Sequence, residues 1–208
     1  MKRLELILFL GLILAIAGSN LKSFNESYEN LQHNVLRLHI LANSDSQSDQ
    51  ELKLKIRDEL LERSSGWFNE CKCIESAKDI VSERLPEINA IAESVIANEG
   101  YSYDVSSSLV SMDFDDREYN DITMPHGNYS AVRVEIGHSE GKNWWCVMYP
   151  PLCLPAAETN IDYNEFFSEG EVDILENCEK YEIKFKCVEI YNEIKETLAQ
   201  KHPSSTAE

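Results

Sequence analysis

The sequence predicts an α+β fold in which a mixed β-sheet carries helices packed on one face and a C-terminal helix closes the chain. Three observations predict it. Apolar and polar residues alternate along Val35–Leu41 and Tyr129–Ile136, as in half-buried strands. Apolar residues recur every three or four positions along 48–66 and Ile74–Asn98, as in amphipathic helices. Strands and helices do not alternate regularly, so a mixed sheet is favoured over a doubly wound parallel one.

The first 20 residues predict a targeting segment. Lys2 and Arg3 precede an apolar run, Leu6–Ala17, whose end has the small-x-small pattern of a signal-peptide cleavage site. This run suits a signal-peptide core and is shorter than the ~20 residues that span a bilayer. A cleaved signal peptide and a short membrane anchor both remain open, and either places the body of the chain outside the cytoplasm.

The 208 residues are the size of one ordinary domain. We interpret the chain after the targeting segment as a polar tether, the α+β domain proper, an acidic segment with a closing strand and helix of the same domain, and a disordered tail, at residues 21–32, 33–155, 156–200 and 201–208. A further strand is predicted at Tyr101–Met112. The closing strand is predicted at Tyr181–Cys187 and the closing helix at Val188–Gln200.

The net charge of −18 excludes some classes of partner. Binding to nucleic acid needs clustered Lys and Arg, and attraction to anionic lipid needs basic segments. We therefore expect no nucleic-acid partner. The acids concentrate in Met112–Asp121 and in Glu158–Glu179, which has no Lys or Arg. We interpret both segments as solvated surface and predict no metal site, because neither has the glycine and glutamate positions of an EF-hand loop.

A hairpin is predicted around the turn Gly137–Gly141. Tyr129–Ile136 forms its first strand and Lys142–Tyr149 its second. Pro150 and Pro151 end the second strand, because proline has no N–H to donate to a ladder.

Two neighbouring tryptophans in the second strand, Trp144 and Trp145, are predicted to lie on opposite faces. If one face packs on helices, one of these tryptophans must lie on the other face. That side chain is either an exposed interaction hot spot or covered by a further layer, and both remain open.

The chain has six cysteines, which in an exported protein indicate potential disulfides. The extended chain between Cys146 and Cys153 would span about 23 Å, whereas a disulfide needs Cα atoms about 5.5 Å apart. A bridge therefore requires a chain reversal, and Pro150 and Pro151 lie where one can occur. We predict this disulfide; two buried free thiols are the alternative.

The segment Ala42–Gln47 is dense in Asn, Ser and Asp and precedes a helix whose capping box is predicted at Ser48 and Glu51. Backbone N–H groups at such a strand-to-helix junction can hold an anion. We favour the alternative, that Asp45 and Asp49 cap these groups locally.

One motif is typical of serine hydrolases, since Gly137–Gly141 reads G-H-S-E-G and satisfies G-x-S-x-G. That motif needs a helix directly after the serine, whereas a strand is predicted there, and the later histidine, His202, lies in the tail. We interpret the segment as a turn and expect no catalytic residue. The alternative function is an exported hydrolase or cell-wall binding enzyme that uses Ser139 or a carboxylate pair.

Two motifs resemble the stage II sporulation protein R family: LRLHILANSDSQSDQELKLKIRD at Leu36–Asp58 and GKNWWCVMYPPLC at Gly141–Cys153. The resemblance extends from about His33 to Leu154. It implies a protein that is exported from the forespore into the space between the septal membranes. There it activates a membrane-embedded aspartic-type protease of the mother cell, which processes the pro-form of the early mother-cell sigma factor. The implied protein is a signal, not an enzyme, peripheral to the membrane and without cofactor or small-molecule substrate.

A partner-binding surface is predicted where the two motifs meet. The tip Pro150–Leu152 offers rigid surface that loses little conformational entropy on binding, and the loop Asn43–Ser46 offers hydrogen-bonding groups. The predicted surface requires the first strand to pair beside the hairpin, which the sequence alone does not establish. Its residues are Arg37, His39, Asn43, Ser44, Asp45, Lys142, Asn143, Trp144, Trp145, Tyr149, Pro150 and Pro151.

Overall fold

The structure, a computed structural model, describes residues 2–119, 121–152 and 162–201. In chain order the elements are α1 (Lys2–His33), β1 (Leu36–Leu41), α2 (Gln47–Ser64), α3 (Ile74–Asn98), β2 (Val105–Phe114), β3 (Arg117–Tyr119), β4 (Ile122–Met124), β5 (Gly127–Ile136), β6 (Asn143–Tyr149), α4 (Glu169–Glu176) and α5 (Glu182–Lys201), with 3₁₀ turns at Tyr163–Glu165 and Cys178–Tyr181.

The chain divides into two compact units, which we name the sheet unit and the terminal unit. The sheet unit comprises Leu31–Asp116 and His126–Phe166. The terminal unit comprises Met1–Asn30, Arg117–Pro125 and Phe167–Glu208.

The sheet unit is built on a four-stranded mixed sheet in the order β2–β5–β1–β6. Strand β1 is parallel to β5 and antiparallel to β6, and β2 is antiparallel to β5. The predicted pairing of β5 with β6 as a hairpin is therefore wrong, because β1 lies between them. Strand β1 is buried along its whole length, as suits a central strand, and it forms one ladder with β5 and the other with β6.

The core lies between the sheet and the helices α2 and α3, which confirms the predicted α+β class. Each strand contributes alternate residues to it, such as Leu38 of β1, Val134 of β5 and Cys146 of β6. The helices contribute residues at three- and four-residue spacing, including Ile56 of α2 and Ile88 of α3. Pro86 lies inside α3, which continues through it as one helix.

The terminal unit corrects two predictions from the sequence. Residues 21–32, predicted as a tether, belong to α1, and Tyr181–Cys187, predicted as a strand, lies in a 3₁₀ turn and α5. The reason is aromatic packing between the two helices. Phe24 and Tyr28, one helical turn apart on α1, lie 5.2 and 4.9 Å from the ring of Phe185.

The first half of α1 exposes its apolar side chains, among them Leu6, Ile7 and Phe9. Among the described residues, no helix has the combination of length and apolar character that crossing a membrane requires. The targeting role of this segment stays a prediction.

Candidate functional site

The loop after β1 is fastened to the turn between β5 and β6 by backbone and side-chain hydrogen bonds. We name this arrangement, Asn43–Ser46 with Gly137–Lys142, the latch. The amides of Glu140 and Gly141 donate to the carbonyls of Asn43 and Ala42, at 3.2 and 3.0 Å. The His138 amide donates to Asn43 Oδ1 at 2.9 Å, and the Lys142 amide donates to Asp45 Oδ1 at 2.7 Å. Two loops that the sequence separates by about ninety residues thus form one polar end of the sheet.

Asp49, in the first turn of α2 and 4% exposed, holds the Asn43–Ser46 side of the latch in place. Its carboxylate accepts from Asn43 Nδ2 at 2.9 Å, from Ser44 Oγ at 2.5 Å and from Tyr103 Oη at 3.0 Å. Burial raises the pKa of the Asp49 carboxyl, but the hydrogen bonds from Ser44, Asn43 and Tyr103 outweigh it and hold the pKa below its ordinary value. Asp49 is therefore an ionised acceptor that two segments share, the loop after β1 and the segment that contains Tyr103.

The start of α2 differs from the predicted capping box. The N-cap is Ser46, whose Oγ accepts from the Asp49 amide at 3.2 Å, and Ser48 already lies in the first helical turn. Ser46 takes the N-cap position instead of Ser48. The reason is that the latch holds the preceding loop residues, Asn43 to Asp45, against the turn between β5 and β6. The prediction that Asp45 and Asp49 cap the backbone N–H groups of this junction differs from these hydrogen bonds: Asp45 accepts from the distant Lys142 amide, and the Asp49 carboxylate accepts from the side chains of Asn43, Ser44 and Tyr103.

Lys53, one helical turn beyond Asp49, closes the latch from α2. The side chain is buried, and its Nζ donates to the backbone carbonyl of Lys142 at 2.8 Å and to Gln50 Oε1 at 2.7 Å. Burial lowers the pKa of the Lys53 ammonium from its ordinary value. The sequence analysis missed Lys53 and Tyr103; a signal for Lys53 is its position on the apolar stripe of α2, beside Leu52 and Ile56.

Gly141 approaches the loop so closely that no side chain fits. A Cβ at this position would lie 2.2 Å from the carbonyl oxygen of Ser44, a backbone atom that cannot move without breaking the latch. We expect Gly141→Ala to lower the free energy of unfolding by about 1–3 kcal/mol, as overpacking does. Gly66→Ala is the matched control, since its Cβ would meet nothing closer than 3.9 Å. Equal urea midpoints for the two variants would contradict this prediction.

A second group of side chains, which we name the His39 cluster, lies on the sheet face opposite to α2 and α3. The ring of His39 stacks on Trp145 with centroids 3.8 Å apart, and its Nε2 donates to Asn143 Oδ1 at 2.9 Å. Burial lowers the pKa of His39, and the bond to Asn143 only partly offsets this, so the ring is neutral at pH 7. Arg133, the register neighbour of His39 on β5, completes the cluster.

The two tryptophans do lie on opposite faces of β6, as predicted. Trp144 packs against the helix-side core, under the guanidinium of Arg57 at 5.0 Å, whereas Trp145 stacks on His39. Both are half-buried.

Arg37 lies on the same face as His39 and is fully buried. Its guanidinium carbon lies 3.9 Å from the ring centroid of Phe114 and 5.0 Å from that of Tyr129. Such desolvated cation–π contacts favour a role within the fold.

The tip lies at the far end of β6 from the latch, because Tyr149 pairs with Leu36 whereas Asn143 pairs with Leu41. Six residue steps of strand separate the two ends by about 20 Å. Tyr149 and Pro150 are buried and Pro151 is half-buried. Pro151 borders a narrow cleft with residues from the end of α2 and from β6: Leu61, Ser64, Ser65, Phe68, Val147 and Met148.

The structure thus brings some of the predicted surface residues together and separates others. Asn43, Ser44, Asp45 and Lys142 meet in the latch, next to Asn143. His39 and Trp145 adjoin Asn143 on one face, Trp144 lies on the other, and the tip is remote. The assignment of these residues to partner binding stays a prediction.

The Gly137–Gly141 segment forms a turn that is followed by a strand. Ser139 has a φ of 56°, its amide donates to the carbonyl of Ile136 at 3.1 Å, and β6 begins at Asn143. A serine hydrolase elbow needs a helix at that point. In the part of the chain that the structure describes, no group of His, Cys, Asp and Glu is arranged to hold a metal ion.

Cys146 is fully buried at the centre of β6. The free thiols of the described residues are Cys71, Cys73, Cys178 and Cys187. Cys153, the predicted partner of Cys146, lies outside the described residues, so that disulfide stays a prediction.

Comparison with known proteins identifies relatives of the segment that holds the latch and the His39 cluster. A family model described as stage II sporulation protein R matches residues 32–159. Stage II sporulation protein R of Bacillus subtilis (strain 168) is 39% identical over 120 residues, which cover 58% of this chain and 54% of that protein. The match therefore spans about half the length of this curated relative. No solved structure matches.

Proposed function

Because the chain belongs to the stage II sporulation protein R family, we propose that it is an exported sporulation signal. In this proposal it leaves the forespore and activates a membrane-embedded aspartic-type protease of the mother cell. That protease then processes the pro-form of the early mother-cell sigma factor. The observation that carries the proposal is the family match over residues 32–159, which contains both the latch and the His39 cluster.

Two features of the chain support export and signalling. The apolar run near the N-terminus follows Lys2 and Arg3, the order of a signal peptide or short anchor. The family is named for a stage of sporulation and not for an enzymatic reaction.

For the partner surface we propose the His39 cluster together with the neighbouring exposed side chain of Lys142. Trp145 and Arg133 are half-buried, so each keeps some surface that a partner can cover. The cluster lies beside the latch, and hydrogen bonds from Lys53 and to Asp45 hold the backbone of Lys142 in place. A rigid aromatic side chain in a fixed polar surround is the composition of an interface hot spot.

Asn43 and Asp45, by contrast, are committed within the fold. Asn43 donates to Asp49 and accepts from the His138 amide, and Asp45 accepts from the Lys142 amide. Replacing either residue would disturb the latch itself. Variants at these positions therefore cannot distinguish a loss of partner binding from a loss of folding.

Reconstitution tests the proposed function. Vesicles that contain the protease and its pro-sigma substrate receive the purified chain on the side that corresponds to the space between the membranes. Cleavage that depends on the chain supports the proposal. Absence of cleavage, with both proteins correctly inserted and the chain folded by circular dichroism, would refute it.

Ser139→Ala is expected to leave that cleavage unchanged within about twofold. Ser139 belongs to a turn without the helix that a nucleophile requires, so its hydroxyl has no role in the proposed function. The rate of pro-sigma cleavage is the measurement. A folded Ser139→Ala chain that no longer supports cleavage would revive the hydrolase alternative.

A further inference from the structure

Two cysteines lie next to each other at the start of α3. Cys71 and Cys73 are free thiols of the sheet unit, and only Lys72 separates them in the sequence. Their surroundings differ, because Cys73 is exposed whereas Cys71 is half-buried and packs against the core between the sheet and the helices. Neither thiol belongs to the latch or to the His39 cluster, so the proposed function leaves both without a role.

The start of α3 favours the thiolate form of Cys73. Cys73 is the N-cap residue of this helix, and its Sγ lies 3.3 Å from the Oγ of Ser76. The hydroxyl of Ser76, and after it the backbone amides of Ser76 and Glu75, hydrogen-bond to the sulfur and lower the pKa of the Cys73 thiol. Since the thiolate is the nucleophilic form of cysteine, Cys73 is an accessible nucleophile.

Cys71 has the opposite character. Burial raises the pKa of its thiol, and the charge of the Cys73 thiolate raises it further, which shows that the two side chains are near enough to interact. The backbone fixes Cys71 there, because its amide donates to the carbonyl of Phe68 at 2.9 Å. The ring of Phe68 in turn packs on Tyr149, with centroids 5.8 Å apart. Cys71 is therefore a protonated thiol held beside an exposed thiolate.

The spacing of the two cysteines allows their sulfurs to bond. Two residue steps separate Cα atoms by at most about 7 Å, and a disulfide accepts a separation of about 4.4–6.8 Å. A small shortening of the segment is therefore enough for a bridge. An exposed thiol of low pKa beside a second cysteine that can displace its adduct is the arrangement of redox-responsive sites.

We propose that Cys73 and Cys71 form a thiol–disulfide exchange site whose ligand is a low-molecular-weight disulfide. The Cys73 thiolate attacks one sulfur of that disulfide, which breaks its S–S bond and releases a thiolate. Cys71 then attacks the Sγ of Cys73 in the mixed disulfide, and the proton of Cys71 passes to the second leaving sulfur. The chain loses two electrons and gains a Cys71–Cys73 bond, while the small disulfide is reduced to one thiolate and one thiol. The inference does not rest on the proposed function.

Oxidised glutathione is the probe that tests this site. The folded full chain, with Cys71 and Cys73 reduced, receives it at pH 7, and samples are quenched in acid at intervals for peptide mapping. Lys-C cleaves after Lys72, so the two cysteine peptides stay joined only if a bridge links them. We expect a glutathione adduct at Cys73 that gives way to the Cys71–Cys73 bridge. An adduct that forms first at Cys71, or no bridge, would overturn the proposal.

Single variants separate the two steps. In Cys71→Ser the adduct at Cys73 should form at the native rate and then persist, because no second thiol displaces it. In Cys73→Ser, Cys71 should stay reduced over the time in which the native chain is fully oxidised. Oxidation of Cys71 at the native rate in Cys73→Ser would assign the attack to the wrong thiol and refute the proposal.

Cys187 is the matched control, since it is an exposed free thiol inside α5 and not at a helix start. At pH 7 Cys73 should react about fivefold or more faster than Cys187, because exchange rates follow the thiolate fraction. Ser76→Ala removes a hydrogen bond to the Cys73 sulfur, so the pH at which the Cys73 rate is half-maximal should rise. Ser82→Ala, exposed on the same helix, should leave that pH unchanged. Equal rates for Cys73 and Cys187, or a pH profile that Ser76→Ala does not move in a chain with native circular dichroism, would contradict the proposal.

Discussion

Asp49→Ala is expected to lower the free energy of unfolding by about 3 kcal/mol. The substitution removes the acceptor that Asn43, Ser44 and Tyr103 share at the latch. A buried donor left without a partner costs about 1–3 kcal/mol; these three donors are half-buried, so water and relaxation of the loop recover part of their total. Urea denaturation measures the change.

Asp58→Ala is the matched control on the same helix. The Asp58 side chain is 66% exposed and pairs with its neighbour Arg57 at the surface, so its loss should change stability by less than about 0.5 kcal/mol. Equal losses from Asp49→Ala and Asp58→Ala would show that the latch does not depend on Asp49.

The same carboxylate implies a dependence on pH. The folded-state pKa of Asp49 is below its ordinary value, so its contribution is fully present above an unfolded pKa of about 3.9 and is lost as the pH falls through the folded pKa. In Asp49→Asn the side chain cannot ionise. The stability gap between the native chain and this variant should therefore narrow as the pH falls below about 4; a constant gap from pH 7 to pH 3 would contradict the assignment.

Trp145→Ala is expected to reduce pro-sigma cleavage in the reconstituted system by about 30-fold or more while the chain stays folded. This expectation rests on the proposed function. The indole is half-buried on the His39 cluster, and truncating a hot-spot aromatic typically costs 2 kcal/mol or more of binding free energy. Trp145→Phe, which keeps an aromatic ring over His39, should restore much of the activity.

Trp144→Ala distinguishes a binding role from a packing role. Trp144 packs against the helix-side core and under Arg57, so its loss should lower the melting temperature more than that of Trp145 does. It should affect cleavage only through the folded fraction. Full cleavage by both variants, when folded, would show that the partner contacts another surface. Cleavage that falls only in proportion to the unfolded fraction would show that both tryptophans stabilise the fold and do not bind the partner.

The alternation of apolar and polar residues along the strands determined which face of the sheet each side chain occupies. The alternation along β1 and β5 assigned Leu38 and Val134 to the core and His39 and Arg133 to the opposite face, as the structure confirms. This works because successive side chains of a strand point to opposite faces, whatever the strand pairs with. The long helix α3 was predictable for a similar reason, since its apolar residues recur with the helical period.

The family resemblance likewise came from the sequence alone. It rests on two long motifs, and the family match over residues 32–159 confirms it. The acidic C-terminal part contains no such motif. There the alternation of apolar and polar residues predicted a strand where the structure has helix. Tyr181 and Phe185 alternate with polar residues as in a strand, yet they lie in a 3₁₀ turn and in α5, and both rings pack on Phe24 of α1.

Tertiary structure alone decided where β1 lies and what the latch is. The alternation of apolar and polar residues shows which face a side chain occupies but not which strands pair. Nothing in the sequences of β5 and β6 therefore indicated that β1 would lie between them. Once it does, the loop after β1 reaches the turn after β5. The buried side chains of Asp49 and Lys53 then bind Tyr103 and the Lys142 carbonyl, 54 and 89 residues away in the sequence. The sequence by itself thus determined which face each strand residue occupies and which family the chain resembles. The shared hydrogen bonds of the latch were decided only by the fold, because they join groups that no local pattern relates.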